Sequence, residues 1–163
     1  MVIDHANKMI YAAISERTNI SVLEKFTAAN GYQAIAFLAT DKEGNPVYHT
    51  NVVMTIGENF AVFCEEAIEE EWELIAVRQL LESSSHTIIP ITRTQMQQVV
   101  SSPSSGGVRF LIMSQTAFDS LRKEQKQMLE AYSQLLPIPV PTIEKAGGGS
   151  VRCMMMEIFL ERR

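Results

Sequence analysis

Residues 2–38 carry the pattern that decides the fold, and they read VIDHANKMIYAAISERTNISVLEKFTAANGYQAIAFL. Two short apolar runs, at 2–4 and 9–14, flank a polar turn, and a third apolar run occupies 34–38. Apolar runs bounded by polar turns are typical of strands. The segment between the second and third runs has apolar residues at helical spacing, so the whole stretch predicts a β-β-α-β unit.

The helix of this unit has signals at both ends. Thr18 or Asn19 can cap its first turn, because a short polar side chain accepts a hydrogen bond from a free backbone amide. Ile20 and Leu23 then begin the helical spacing. Gly31 predicts the end of the helix, since glycine readily adopts the left-handed conformation in which many helices end.

The rest of the chain continues the alternation of strands and helices at irregular intervals. Residues 47–57 join a strand end to a buried strand, and further strands are predicted at 60–64, 87–91 and 108–113 and through Phe159 and Leu160. Helices are predicted from the glutamates at 65–71 to Leu81, over 93–98, and from a cap at Ser114 or Thr116 on through 123–135. Segments 101–107 and 137–141 are predicted to be a flexible loop and an extended run. This alternation is typical of an α/β protein, and the 163 residues fit one domain over residues 1–163.

The composition argues against several classes of function. A net charge of −5 disfavours nucleic acid as a partner, because phosphate binding needs a basic face. No apolar run approaches the roughly 20 residues that a membrane span needs, and the first residues lack a secretory signal pattern. The two cysteines, Cys64 and Cys153, do not make a disulfide framework and predict a reduced, cytoplasmic setting. No cofactor-binding or metal-binding motif is present, so we expect no cofactor and no metal.

A glycine-rich loop, Gly147–Gly149, lies just before Cys153. Three consecutive glycines leave the backbone free to take positive φ and let another group approach closely. A thiol on such a loop, beside Arg152, is a candidate nucleophile, because cationic neighbours favour the thiolate. The alternative is a turn followed by a buried structural cysteine. Methionines 154–156 predict core packing, the usual role of this side chain.

His49 is the candidate acid/base partner for Cys153. It lies at a junction between a loop and a strand, where functional side chains are often presented. Its neighbours Tyr48, Thr50 and Asn51 can hydrogen-bond the imidazole and fix its tautomer.

The other two histidines, His5 and His86, lie in polar turns and are predicted to be solvated. A lone cysteine and a lone histidine far apart in a chain are a weak signal on their own, since most chains contain such residues. Spacing alone therefore leaves the catalytic pair open.

Three segments taken in order give a more specific signal: Ile14–Asn19 (ISERTN), Pro46–Val52 (PVYHTNV) and Gly147–Cys153 (GGGSVRC). Together they resemble the guanidino-group-modifying superfamily of arginine deiminases, dimethylarginine hydrolases and amidinotransferases. The similarity is greatest to a bacterial amidinotransferase-like branch that includes citrulline hydrolases. It extends from Met1 to Leu160.

The resemblance implies a fold and a set of site residues. The fold would be part of a five-bladed α/β propeller built of ββαβ modules. Cys153 would attack the guanidino or ureido carbon, and His49 would protonate the departing amine and then activate water. Arg17 matches the arginine that binds the substrate carboxylate. Asn51 stands where the deiminases carry an aspartate, which points away from arginine deiminase itself.

The chain departs from the superfamily pattern in two places. The superfamily grips its substrate with acidic residues in an N-terminal half, and this chain starts after that half would end. A Gly-Asn segment is also missing where Met96–Gln98 passes into Val99. We therefore expect the C-terminal part of a longer enzyme, or closure of the fold by association with another chain such as a second copy.

Two functions follow from these observations. The first is hydrolysis of a C–N bond in a small guanidino or ureido amino acid, with citrulline as the first choice and a methylated arginine as the second. The alternative is a non-catalytic α/β module that binds a ligand or partner through an inherited cleft. The absence of assignable acidic substrate-binding residues favours the alternative.

Overall fold

The computed structural model describes residues 1–96, 104–105, 108–147 and 149–155 of the chain. They belong to two compact units, Met1–Val99 and Val100–Arg163. The strands are β1 Val2–Asp4, β2 Met9–Ala13, β3 Gln33–Phe37, β4 Met54–Ile56, β5 Phe60–Phe63, β6 Thr87–Pro90, β7 Ser104–Ser105, β8 Val108–Ser114 and β9 Gln134–Ile138. The α-helices are α1 Ile20–Asn30, α2 Thr50–Val53, α3 Glu71–Ser83, α4 Arg93–Met96, α5 Gln115–Ser120, α6 Lys123–Glu130 and α7 Pro141–Gly147. Glu65–Ala67 and Val151–Met154 form 3-10 helices.

Three sheets share one topology, with strand orders β1-β2-β3 and β4-β5-β6 in the first unit and β7-β8-β9 in the second. In each sheet the first two strands are antiparallel and the last two are parallel. Parallel neighbours need a crossover connection, and each crossover here contains helix: α1, α3, or α5 and α6. The predicted ββαβ modules are confirmed.

The signals at the two ends of α1 act as predicted. The side chain of Asn19 accepts a hydrogen bond from the amide of Ser21, at 2.9 Å. Gly31 ends the helix in the left-handed conformation, with φ of 68°. Leu23 of this helix is buried against Ile10 and Ala12 of β2, so the helix covers the sheet that its sequence pattern predicts.

The central strands carry the core of the first unit. Every residue of β2 and of β5 is buried. A strand that is paired on both edges and covered on its faces reads as a continuous apolar run, which is how both segments appear in the sequence. Their ends are therefore fixed points from which loop residues can be presented.

Two elements of the first unit differ from the sequence prediction. The helical turn α2 follows His49, where the sequence predicted a direct junction with a buried strand, so that strand begins only at Met54. The acidic helix, predicted to start within the glutamates at 65–71, begins at Glu71. The carbonyl of Ala67 accepts a hydrogen bond from the amide of Thr40, so it is not available for an intrahelical bond.

The second unit differs from the prediction at three elements. The predicted helix over 123–135 ends at Glu130, because the following residues pair with β8 as the parallel strand β9. The extended run predicted at 137–141 is followed by α7, which was not predicted from the sequence. Pro141 occupies the first position of this helix, where a proline has no intrahelical hydrogen bond to lose. Ser104–Ser105, predicted as loop, pairs with β8.

Several predicted segments lie outside the described residues. They are the final strand through Phe159 and Leu160, Gln97–Gln98 of the helix at 93–98, the departure after Gln98, and most of the loop at 101–107. Across the ranges that are described, none of the helices combines the length and apolar character that crossing a bilayer requires.

Candidate active site

His49 is held at the start of α2 by its neighbour Thr50. The Thr50 side chain is fully buried, and its Oγ1 accepts a hydrogen bond from the amide of Ala13 at 2.9 Å. This bond joins the end of β2 to the turn that carries His49. From the sequence, the Thr50 hydroxyl was one predicted partner of the imidazole; in the structure it instead accepts from the backbone at the end of β2.

Arg17 and His49 meet on the ring of Tyr48. The Arg17 guanidinium carbon lies 5.3 Å from the centroid of the Tyr48 ring, and the imidazole centroid lies 4.7 Å from the same ring, tilted by 55°. Ser15 ties the two segments together, because its hydroxyl donates to the Tyr48 carbonyl and accepts from the Arg17 amide, both at 3.2 Å. Two of the three segments quoted above thus lie side by side.

The surroundings of His49 favour its neutral form. Burial lowers the pKa of the imidazole below its ordinary value of 6.5, and the charge of Arg17 lowers it further. A neutral imidazole at neutral pH can accept a proton, which is the first requirement for acid/base work.

Asn51 lies two residues beyond His49, half-buried within α2. It is therefore on the same short element as the histidine, as its position in the quoted segment implies. Its substrate-binding role stays a prediction.

Cys153 lies in the second unit, on the 3-10 helix Val151–Met154. Its side chain is exposed, and its amide donates to the carbonyl of Ser150 at 3.0 Å. Val151, at the start of the turn, is buried and anchors it. The alternative of a buried structural cysteine does not hold for Cys153.

Gly149 is the glycine that the thiol approaches. A Cβ added at this residue would lie 3.3 Å from the Sγ of Cys153, closer than most real Cβ contacts. The expectation of a close approach is confirmed at this position. Of the glycines described in the loop, 147 and 149, neither has the positive φ that was also expected.

Arg152 and Met154 flank Cys153 in this turn. The Arg152 guanidinium donates to the carbonyl of Met155 at 3.1 Å, so it ties down the end of the turn. Met154 is 50% exposed, so the prediction of core packing is wrong for this methionine. Met156 lies outside the described residues.

The second cysteine, Cys64, is the buried one. It directly follows the fully buried strand β5, and burial raises the pKa of its thiol to about 11. Cys64 is therefore poorly suited to act as a nucleophile, since the thiolate is the reactive form of a cysteine.

Glu144 is a polar residue of the second unit that the sequence analysis did not single out. Its carboxylate accepts hydrogen bonds from the hydroxyls of Thr116 at 2.8 Å and Ser150 at 2.9 Å. Ser150 precedes Cys153 by three residues. No short motif marks this glutamate, because its partner Thr116 is distant in the sequence.

His86 is buried, which corrects the prediction that it is solvated. Its Nε2 lies 3.6 Å from a carboxylate oxygen of Asp4, and both side chains are nearly inaccessible to solvent. The hydroxyl of Tyr11 is also buried. His5, in contrast, is exposed and hydrogen-bonded to the Tyr32 hydroxyl at 2.9 Å.

The described part of the chain contains no group of three histidine, cysteine or acidic side chains placed to hold a metal ion.

Comparison with known families gives this arrangement a context. A model of the eukaryotic N,N-dimethylarginine dimethylhydrolase family matches residues 1–160. The chain belongs to this family. The resemblance to the guanidino-group-modifying superfamily is thereby confirmed. No curated protein sequence matches this dimethylarginine dimethylhydrolase family member.

Solved structures show the same fold at low sequence identity. Apo ArgZ, an arginine dihydrolase from the ornithine-ammonia cycle in cyanobacteria, matches 94% of this chain with a TM-score of 0.68 and 11% identity. A variant of the ArgZ N-terminal domain, covalently bound to a reaction intermediate, matches 94% with a TM-score of 0.70 and 12% identity. Agmatine deiminase from C. jejuni matches 99% with a TM-score of 0.56 and 13% identity.

The family member spans only part of these proteins: 23% of the ArgZ chain, 52% of its N-terminal domain and 55% of the agmatine deiminase chain. The predicted fold class, a partial α/β propeller of ββαβ modules, is confirmed.

Proposed function

We propose that the chain acts as one α/β domain, residues 1–163, which hydrolyses a C–N bond of a small guanidino or ureido amino acid through a covalent adduct on Cys153. The observation that carries this proposal is the family match across residues 1–160, with an exposed thiol on a tight, anchored turn within it. The covalent intermediate recorded for the ArgZ domain supports a thiol-bound adduct as the chemistry.

The proposed reaction has two halves. Cys153 gives up its thiol proton to solvent, neutral His49 takes up a proton, and the thiolate forms a carbon–sulfur bond with the guanidino or ureido carbon. Protonated His49 then gives its proton to the departing amine as the carbon–nitrogen bond breaks. In the second half, His49 takes a proton from water, hydroxide adds to the same carbon, and the carbon–sulfur bond breaks; His49 then releases its proton to solvent and the Cys153 thiolate takes one back.

Arg17 and Asn51 are the proposed substrate-binding residues. The planar guanidinium of Arg17 suits a carboxylate, because it offers paired donors in a fixed geometry. Asn51, on the same element as His49, supplies an uncharged amide near the reacting group.

A methylated arginine becomes the preferred substrate. The family description names dimethylarginine, whereas citrulline, the first choice from the sequence, rests on resemblance alone. Hydrolysis of N,N-dimethylarginine would give citrulline and dimethylamine, and hydrolysis of citrulline would give ornithine, carbon dioxide and ammonia. The released amine therefore distinguishes the two.

The acidic grip on the substrate has no assigned residue in this chain. We propose that it comes from a longer version of the protein or from a second copy, because the chain spans about half of the ArgZ N-terminal domain, 52%. We propose a cytoplasmic setting and neither cofactor, metal, nucleic acid nor membrane as a partner. The half-length coverage also favours the second candidate, a non-catalytic module that binds the ligand.

Labelling with a haloacetamidine tests the nucleophile. The reagent carries the amidine group of the substrate and alkylates a reactive thiolate. We expect one adduct, on Cys153, and none on Cys64, whose thiol is buried with a pKa of about 11. Cys64→Ser is the matched control and should still be labelled, whereas Cys153→Ser should not. An adduct elsewhere with Cys153 untouched would refute the assignment.

Turnover tests the rest of the proposal. The full chain is incubated with N,N-dimethylarginine or citrulline, and dimethylamine and ammonia are measured separately. We expect dimethylamine from the first substrate, and its loss in both Cys153→Ser and His49→Ala. Binding of either compound without turnover would support the non-catalytic module instead.

A further inference from the structure

The carboxylate of Glu144 joins two parts of the second unit that are distant in sequence. One oxygen accepts from the Thr116 hydroxyl at 2.8 Å, in the first turn of α5. The other accepts from the Ser150 hydroxyl at 2.9 Å, directly before the turn that carries Cys153. Each oxygen thus has its own donor, so the carboxylate acts as a bridge.

The Thr116 end of this bridge lies where β8 passes into α5. Ser114 ends β8 and caps α5, because its fully buried hydroxyl oxygen accepts from the Ala117 amide at 3.1 Å. Thr116, the donor to Glu144, lies in this capped first turn. The end of β8 and the start of α5 therefore hold the carboxylate at one place.

The supported end is the cysteine turn. The carbonyl of Ser150 accepts from the Cys153 amide at 3.0 Å, so Ser150 takes part in both the bridge and the turn. Val151 is buried next to it, and the thiol itself is exposed. The turn also packs against β8, the strand that Ser114 ends.

The charge state of Glu144 suits this role. Burial by itself raises the pKa of the carboxyl, but hydrogen bonds from the hydroxyls of Ser114, Thr116 and Ser150 outweigh burial and lower the pKa. At neutral pH the group is an ionised carboxylate, which only accepts hydrogen bonds. Bonds to a charged acceptor are stronger than bonds between neutral groups.

We infer that Glu144 is a positioning residue for Cys153, which fixes the thiol-bearing turn against the end of β8 through the Thr116–Glu144–Ser150 bridge. This inference rests on the proposed role of Cys153 as nucleophile. It adds a residue that acts only through another residue and does not touch the substrate.

Glu144→Gln is the decisive variant, and two measurements on the full chain separate positioning from general stability. An amide NH2 cannot accept a hydrogen bond, so the variant loses one end of the bridge while it keeps the shape of the side chain. The first measurement is hydrogen exchange at the amide of Cys153, which reports the turn without any assumption about chemistry. We expect exchange about tenfold faster than in the wild type, the effect of losing one hydrogen bond to a charged group.

The second measurement is the ratio of two alkylation rates at Cys153, with chloroacetamidine and with iodoacetamide. Thiolate content affects both rates alike and cancels in the ratio. A misplaced thiol slows the reaction with chloroacetamidine, which must fit the substrate site, more than the reaction with iodoacetamide, which need not. We expect the ratio to fall about tenfold in Glu144→Gln. The control is Glu130→Gln, which makes the same chemical change at an exposed residue of α6 and should change neither measurement.

The outcomes keep this inference distinct from the proposed function. If the wild-type chain shows no preference for chloroacetamidine, the proposed function fails, and the exchange at Cys153 still decides the role of Glu144. If the preference is present and Glu144→Gln matches the wild type in both measurements, the positioning role is overturned. Should Glu144→Gln fail to fold, Thr116→Val removes only the far donor of the bridge, and the same two measurements decide.

Discussion

Arg17 and His49 both pack on the ring of Tyr48, with the guanidinium carbon 5.3 Å and the imidazole centroid 4.7 Å from its centroid. The arginine therefore stands close enough for its charge to act on the histidine, and it is the second cause, after burial, of the lowered pKa of His49. A residue proposed to bind substrate thus also helps to lower the pKa of the proposed acid/base residue.

Replacement of this arginine is expected to raise the pKa of His49. In Arg17→Gln the positive charge is gone and burial remains, so the imidazole should titrate closer to 6.5 but still below it. Titration of the His49 ring protons by NMR measures the value. Arg17→Lys keeps the charge and should leave the pKa nearly unchanged. An equal rise in both variants would show that stacking, not charge, controls the titration.

The lowered pKa of His49 also determines the direction in which the free energy of unfolding changes with pH. The folded state favours neutral His49, so the unfolded chain binds a proton more readily. The contribution of His49 to the free energy of unfolding is therefore present above 6.5 and is lost as the pH falls through the lower, folded pKa.

The bond between the Ala13 amide and the Thr50 hydroxyl predicts a loss of stability in Thr50→Val. Valine has nearly the same shape as threonine but leaves a buried amide without an acceptor, at a cost of about 1–3 kcal/mol. Urea unfolding measures the loss, and hydrogen exchange at the Ala13 amide locates it. Thr50→Ser retains the hydroxyl and should keep that amide protected. Protection of Ala13 in the valine variant would contradict the assigned bond.

Close approach of the Cys153 thiol to Gly149 predicts slower alkylation in Gly149→Ala. The added methyl group would lie 3.3 Å from Sγ and push the thiol by a few tenths of an ångström. Small displacements of a reacting group are costly, so we expect chloroacetamidine labelling to slow by up to about tenfold. Gly147→Ala is the matched control, because its nearest neighbour, a methyl carbon of Ile143, lies at an ordinary 3.9 Å. Equal rates in the two variants would be evidence against the contact.

The buried phenol of Tyr11 predicts a late step in an alkaline titration. Burial first, and then the charge of Asp4, raise the pKa of Tyr11 from 10.0 to about 12. The neutral phenol is favoured in the fold, so its contribution to stability is present below pH 10.0 and is lost as the pH rises through about 12. The difference in phenolate absorbance between the wild type and Tyr11→Phe isolates this step. A difference centred at pH 10.0 would mean that Tyr11 is solvated.

The ends of α1 and the buried strands could be predicted, because they depend on interactions between residues close in the sequence. The side chain of Asn19 and the backbone freedom of Gly31 act within one turn of the helix they bound, so both could be read from neighbouring residues. The continuous apolar runs of β2 and β5 likewise indicate, from the sequence alone, that these strands are buried. His49 and Arg17 came from the quoted segments, and their shared contact with Tyr48 is a property of the fold.

Elements that depend on distant partners could not be predicted in this way. Gln134–Ile138 follows a helix without a break in the pattern and becomes a strand only because β8 lies beside it. His86 sits in a polar turn of the sequence, yet it is buried beside Asp4, a residue distant in the sequence that lies 3.6 Å away in the fold. Glu144 meets Thr116 across 28 residues, so no short motif contains the bridge.

The strand orders have a consequence for how the chain folds. Each sheet is built from strands that are consecutive in the chain, over Val2–Phe37, Met54–Pro90 and Ser104–Ile138. Short separations between partners cost little loop-closure entropy, and such local pairing is associated with rapid folding. All strands of one sheet are therefore synthesised before those of the next sheet begin. The turn that carries Cys153 follows the third of these segments, so the strand against which it packs is already synthesised when the proposed nucleophile is added.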